Sequence, residues 1–399
     1  MPGPRITVIG GGAVGLASAW RIVERWPDAR LTLLEKEPRV AAHQTGNNSG
    51  VMHCGLAYRP GTAKARLAVR GIRQLIAFCE EHGVRHEVCG KLVVASRPDQ
   101  VPRLHELLQR GTENGLRGLE NLPPERIREI EPHAAGVAAL RVPEEGIVDY
   151  PAVCATLARL IQSCGGRLVL RAPVRALRQR GGEWVAQTDQ GEFVSDYLVT
   201  CAGLQADRVA RMAGFRTDVR IVPFRGDYYR LRPEREHLVR HLIYPVADPR
   251  FPFLGVHFTR MIAGGVEAGP NAVLSLAREG YSPTAFHPRD ALEALAFPGL
   301  WRFLARHASM CWSELRRAFS KALFCRSLQT LVPEVQPQDL LPAGAGIRAQ
   351  AMTPDGRLVE DFAFLAGRRA VHVLNAPSPA ATACLAIGEE VAGQLAQLF

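Results

Sequence analysis

Apolar and polar positions divide this chain into alternating strand and helix patterns. Ile6, Val8 and Ile9 form a short apolar block that ends on Gly10-Gly11-Gly12-Ala13-Val14-Gly15. A helical period follows over 14–25, and Leu31-Thr32-Leu33-Leu34 reads as a second buried strand. Leu67, Ile72, Leu75 and Ile76 share one face of a helix over 65–82, and Lys91–Ala95 is a strand. Helices are expected over 101–114, from Pro123-Pro124-Glu125, and from Asp149-Tyr150-Pro151 to about 164, closed by Gly165-Gly166. Strands follow near 168–170, 184–186 and 197–200, the last ending on Cys201-Ala202-Gly203. The stretch 221–257 is rich in β-formers, aromatics and prolines, as in an antiparallel sheet. Residues 288–331 read as helical with a break at Pro298-Gly299. A strand over 370–374 ends on Asn375, and a closing helix over about 380–398 is expected to pack on the first domain.

The return to a parallel strand–helix–strand pattern after an excursion implies a discontinuous domain. The fold class is therefore α/β combined with α+β. A Rossmann-like dinucleotide-binding domain is expected over 1–85, 146–215 and 345–399. A mostly antiparallel substrate domain, capped by helices, takes 86–145 and 216–344.

Gly10, Gly12 and Gly15 fit G-x-G-x-x-G between a strand and a helix. The first glycine permits the tight turn, the second lets a pyrophosphate approach, and the third lets the helix pack on the strand. Glu35 stands twenty residues past the last glycine, at the end of the second strand, where a carboxylate accepts ribose hydroxyls. The loop His43-Gln44-Thr45-Gly46-Asn47-Asn48-Ser49-Gly50 follows almost at once.

With 399 residues and 47% hydrophobic content, the chain can bury a large core. Its net charge of +10 suits an anionic substrate or surface. Nucleic acid is not expected, because the Lys and Arg residues are scattered and no nucleic-acid signature is present. Nine irregularly spaced cysteines without C-x-x-C indicate reduced thiols in a cytoplasmic compartment, and no metal site is expected. No apolar run approaches the ~20 residues of a bilayer span. The first strand follows Met1-Pro2-Gly3-Pro4 so closely that no signal or transit peptide is expected.

Longer strings carry a resemblance. They are His43-Gln44-Thr45-Gly46, Asn48-Ser49-Gly50-Val51-Met52-His53, Cys89-Gly90-Lys91-Leu92 and Gly146-Ile147-Val148-Asp149-Tyr150. They continue with Ile221-Val222-Pro223-Phe224-Arg225-Gly226-Asp227-Tyr228, Phe253-Leu254-Gly255-Val256-His257 and Gly269-Pro270-Asn271-Ala272-Val273-Leu274. Ala345-Gly346-Ile347-Arg348-Ala349-Gln350 and Asn375-Ala376-Pro377-Ser378-Pro379-Ala380-Ala381-Thr382 complete them. In this order they resemble the L-2-hydroxyglutarate dehydrogenase/oxidase family of FAD proteins, within the D-amino-acid-oxidase-like superfamily. Two departures stand out: Asn47 where the family usually has histidine, and Ala57 where a tyrosine is common before Tyr58.

The resemblance implies non-covalent FAD and oxidation of L-2-hydroxyglutarate to 2-oxoglutarate by hydride transfer, with a quinone-type acceptor or oxygen taking the electrons. It implies cofactor contacts from Gly10, Gly12, Ala13, Val14, Gly15, Glu35, Lys36, Thr45, Asn48, Ser49, Gly50, Val174, Ala202, Gly203, Arg348, Asn375, Pro377, Ser378 and Ala381. The alcohol proton needs a base, and histidine titrates near neutral pH. His53 and His257 are the two candidates in family strings, with covalent FAD attachment as a rival role for His53. A dicarboxylate entering a dry pocket needs cationic or multi-donor partners. Arg225 and Arg260 are the first candidates, with Lys64, Lys91, Tyr58 and Tyr244 in support. Each competes with an ordinary ion-pair or packing role. Alternative functions are an amino-acid or amine oxidase of the same superfamily, or a flavin-binding electron-transfer partner.

Residues 281–330 carry seven Lys/Arg against three acids, interleaved with Trp301, Phe303, Leu304, Trp312, Leu315 and Phe319. Such a stretch suits weak peripheral association with the cytoplasmic face of an anionic membrane. The competing reading is that these apolar side chains pack on the substrate sheet.

Overall fold

The structure is a computed structural model describing residues 3–248 and 253–399; the expectation for Met1 and Pro2 lies outside them. A six-stranded sheet runs in the order Ala363–Gly367, Ala370–Asn375, Tyr197–Thr200, Arg5–Ile9, Arg30–Leu34 and Arg167–Val169. All its pairings are parallel except that of the edge strand Ala363–Gly367. Its strands come from three separated parts of the chain, as the sequence pattern implies.

The helix Ala13–Arg25 covers this sheet with Leu16, Ala17, Ala19 and Ile22 fully buried. The closing helix Cys384–Ala396 packs on it so closely that a side chain at Gly388 would meet the Ala17 carbonyl at 2.6 Å. Thr62 caps the helix Ala63–His82, and Gly83 ends it in the left-handed conformation, as a C-terminal glycine does.

The second sheet has nine strands and is built on the long antiparallel pair Arg220–Leu231 and Leu340–Met352. The second strand of that pair spans the expected boundary at 344/345, so the chain crosses between the two layers only after Met352. Lys91–Ala95 joins the same sheet, parallel to Leu242–Pro245 and antiparallel to Ala138–Val142. A small sheet of Val51–Met52, Gly146–Val148 and His86–Glu87 ties the two layers together where the His53 loop emerges.

The expected helical stretch is four helices rather than two: Pro288–Leu295, Pro298–Arg306, Ala308–Phe319 and Lys321–Gln329. Extra breaks fall at His307 and at Ser320, whose extended backbone lets its hydroxyl cap the last helix. Inward-facing Ala294, Phe297, Leu300, Phe303 and Met310 pack on Val222, Phe224 and Met352 of the second sheet. All nine cysteines are free thiols. Among the described residues no helix is long and apolar enough to cross a membrane.

Candidate active site

Gly10 has φ +111°, and a side chain at Gly15 would lie 1.9 Å from the Gly10 carbonyl, so the turn demands glycine at both places. The helix behind it has no side-chain cap of its own, because its N-cap is Gly12. Thr45 instead accepts the Ala13 N–H at 3.1 Å, which holds the following loop over the helix N-terminus. Glu35 is buried, and its two carboxylate oxygens accept the N–H groups of Gly11 (2.6 Å) and Glu37 (2.9 Å). Each oxygen keeps a lone pair for a ribose hydroxyl. Ala202 and Gly203 adjoin this turn, and Val174 packs beside Ile9 and Leu34 at the strand ends.

The rest of the cofactor set divides. Asn48 brackets its own loop, donating to the Gln44 and Thr45 carbonyls and accepting from Gly50. Asn47 does the same for the Ala42 and His43 carbonyls, so the family departure there is met by a loop-building amide. The Asn47 carbonyl lies so near the second sheet that a Gly346 side chain would come within 2.8 Å of it. The Lys36 ammonium is held by Glu37, by His43 at 2.7 Å and by Glu279 at 2.9 Å, so its charge is engaged within that cluster.

Asn375 donates to the Val359 and Asp361 carbonyls but leaves its buried amide oxygen without a donor. Pro377 accepts the Ala380 N–H, so residues 377–380 turn toward the final helix, and Ser378 lies beside the Tyr58 hydroxyl. An orphaned acceptor, an open glycine turn and a buried ribose-type carboxylate fit FAD. We expect Glu35→Ala to weaken FAD retention severalfold while leaving the fold intact; unchanged retention on gel filtration would contradict the assignment.

The His53 imidazole is anchored by a residue that did not stand out in the sequence. Its Nδ1 lies 3.2 Å from Glu145, and its backbone N–H donates to Thr382 at 3.1 Å. Glu145 is 1% exposed and also binds Lys91 at 2.7 Å and the Cys54 N–H at 3.3 Å. Burial alone would raise its pKa, but Lys91 and His53 outweigh burial and hold the carboxyl well below its usual range. A permanent carboxylate at Nδ1 makes that nitrogen the donor and leaves the Nε2 lone pair available. Lys91 is thereby committed to Glu145.

His257 differs. Its Nδ1 lies 2.9 Å from the Gly255 carbonyl, and its ring stacks on Tyr244 with centroids 3.9 Å apart. Burial, joined by the charges of Arg348 and Lys91, pushes its pKa down to about 3. It is therefore a neutral residue and a weak proton acceptor. The Tyr244 hydroxyl is buried beside Thr259 without a well-aligned hydrogen bond. Its ring lies edge-on to His53 at 6.1 Å.

Two arginines expected at the substrate are taken. Arg225 makes a two-pronged pair with Asp227 (2.7 and 3.2 Å) and donates to the Ser282 carbonyl. Arg260 pairs across the small sheet with Glu87 and sits beside Cys89. The Arg225 fork is fully engaged, and Arg260 is paired with Glu87, so each already has a carboxylate partner within the protein.

Arg348 has the opposite character. It donates to the Asn271 carbonyl at 3.0 Å and lies over Phe253, yet among the described residues no carboxylate reaches it within ion-pair distance. Burial lowers its pKa, and its charge is felt by His257. A half-buried guanidinium with no carboxylate in ion-pair reach is suited to take one from a ligand. Lys64 packs over the Tyr58 ring at 4.6 Å, and burial lowers its pKa to about 8.

Comparison with known proteins shows the family and the fold. Residues 5–394 match the family model described as FAD dependent oxidoreductase. The L-2-hydroxyglutarate dehydrogenase of Indibacter alkaliphilus is 47% identical over 388 residues, covering 97% of each chain. That of Escherichia coli K12 is 43% identical over 393 residues, covering 98% of this chain and 93% of the other. Among solved structures, the FAD-bound L-alpha-glycerophosphate oxidase of Mycoplasma pneumoniae superposes with a TM-score of 0.81 at 21% identity, over 99% and 95% of the two chains. That likeness establishes the shared fold.

Proposed function

The chain belongs to the FAD-dependent oxidoreductase family, and on that premise we propose that it oxidises L-2-hydroxyglutarate to 2-oxoglutarate. The observation that carries this reading is a histidine anchored by the buried Glu145, together with an arginine that no described carboxylate reaches, on the sheet that also carries His257. Relatives named L-2-hydroxyglutarate dehydrogenase, at 43–47% identity, supply the substrate. Bound FAD supplies the two-electron acceptor for hydride leaving the substrate α-carbon. His53 Nε2 takes the hydroxyl proton, with Glu145 fixing the ring through Nδ1. Arg348 receives one substrate carboxylate, and Lys64 and Tyr58 meet the other end. Tyr244 and His257 form an aromatic wall that stays uncharged and keeps water away from the reacting carbon.

The test is dye-linked turnover with L-2-hydroxyglutarate, L-lactate and amino acids. A mono-acid leaves one cation unpaired after the substrate has displaced its water, which costs roughly 2–5 kcal/mol. Lactate should therefore be poorer by at least about thirtyfold, and no ammonia should appear with amino acids. Equal efficiency for lactate, or ammonia release, would overturn the reading.

For the electrons we propose a quinone-type acceptor reached from an anionic membrane on the cytoplasmic side. The support is the surface of the helices between 288 and 319. Phe303 is buried as the packing alternative expects, but Trp301 is 56% exposed, Trp312 63% and Phe319 85%, among scattered arginines. Exposed aromatics beside basic residues suit an interfacial position. The protein should pellet with anionic vesicles at low salt and be released at high salt. Retention in the supernatant at low salt would refute the docking.

A further inference from the structure

The one hydrogen bond that holds Arg348 among the described residues comes from the turn Pro270-Asn271-Ala272. Asn271 is 2% exposed, and its carbonyl accepts the Arg348 guanidinium at 3.0 Å. Its side-chain oxygen accepts the Asp227 N–H at 2.7 Å. The next residue, Ala272, donates its N–H to Glu314 at 2.9 Å. Glu314 is 6% exposed, projects from the helix Ala308–Phe319, and is paired with Arg317 on the same helix. That helix packs on the strand Val273–Leu274, which continues from the turn. A side chain at Gly226 would come within 2.6 Å of Pro270 and 3.0 Å of Arg348, so on this side the guanidinium packs tightly against the turn. Nothing in the chemistry of the His53 cluster uses Glu314, yet a buried carboxylate is expensive to keep without a purpose.

We propose that Glu314 is a positioning residue for Arg348, setting the affinity of the carboxylate site through Asn271 and Ala272. It does two things of opposite sign. Its oxygen anchors the turn that aims the guanidinium, which favours substrate. Its negative charge lowers the positive potential that an incoming carboxylate meets, which disfavours substrate and product alike. The arrangement places a binding determinant on the helix that also bears Trp312 and Phe319 on its outer side, within reach of anything that shifts that helix. This inference rests on the reading of Arg348 as the carboxylate receiver.

The two contributions separate in two variants of the FAD-loaded enzyme. Binding of 2-oxoglutarate is followed by calorimetry, and kcat and KM for L-2-hydroxyglutarate are measured beside it. Glu314→Gln keeps the acceptor for Ala272 and removes the charge, so binding should tighten by roughly two- to fivefold. Glu314→Leu removes both, and loss of the anchor should weaken binding by roughly ten- to a hundredfold. In both, kcat should stay within about twofold of the parent, because no reacting atom is touched. Weakened binding in Glu314→Gln, or a fall in kcat at unchanged affinity, would overturn the proposal and leave Glu314 as part of the scaffold. If Glu314→Leu does not fold, the sign of the Glu314→Gln effect still decides. Arg348→Lys is measured in parallel. If it binds 2-oxoglutarate as tightly as the parent, the assignment of Arg348 itself fails; if it binds weakly while both Glu314 variants are silent, only the present inference falls.

Discussion

His53→Ala slows reduction of the bound cofactor by L-2-hydroxyglutarate by about 10²–10⁴-fold, the usual worth of a positioned general base. His257→Ala costs far less. The difference follows from what holds each ring. His53 is pinned at Nδ1 by a carboxylate that stays ionised because Lys91 lies 2.7 Å away. His257 hydrogen-bonds a neutral carbonyl, and burial holds it near 3, so it cannot take over as base. Glu145→Gln keeps the shape of the anchor without its charge, and it should slow the step by an intermediate amount. Stopped-flow absorbance under nitrogen resolves the three variants. Equal rates for His53→Ala and the parent would remove His53 from the chemistry.

Arg348→Ala produces the second large effect, a rise in KM for L-2-hydroxyglutarate of at least about thirtyfold, the equivalent of roughly 2–5 kcal/mol for an unpaired buried charge. Arg225→Ala provides the contrast. It strips Asp227 of its partner and should lower thermal stability, with KM changed much less. Arg260→Ala loses a pair with the half-exposed Glu87, and the effect should be small in both assays. Steady-state kinetics with thermal melts on the three variants separates a ligand-binding arginine from structural ones. A KM that rises with Arg225→Ala and not with Arg348→Ala would reverse the assignment.

The contrast between these arginines shows what local pattern can and cannot reveal. Arg225 and Asp227 are two apart on one strand, so both side chains fall on the same face, and the ion pair could have been read from the sequence. The partner of Arg260 lies 173 positions earlier and is set only by how the small sheet docks. Glu145 stands one residue before the Gly146-Ile147-Val148 string, next to an equally plausible surface acid, Glu144. Only the tertiary fold shows that it meets Lys91, His53 and Cys54 in a dry place. The nucleotide turn was legible because its constraints are local: a left-handed Gly10, a contact no side chain at Gly15 could survive, and Glu35 at the end of the adjacent strand. Residues 288–331 were legible as helix, but their extra breaks depend on the backbone at His307 and Ser320, neither of which is a strong helix breaker.

The central claim is most directly tested in a single anaerobic mixing of the FAD-loaded protein with one equivalent of L-2-hydroxyglutarate. The flavin absorbance should bleach completely and one 2-oxoglutarate should form per flavin, with the same protein left oxidised by an equal amount of L-lactate or of an amino acid. A flavin that stays oxidised with L-2-hydroxyglutarate, or bleaches equally with all three acids, would contradict the account.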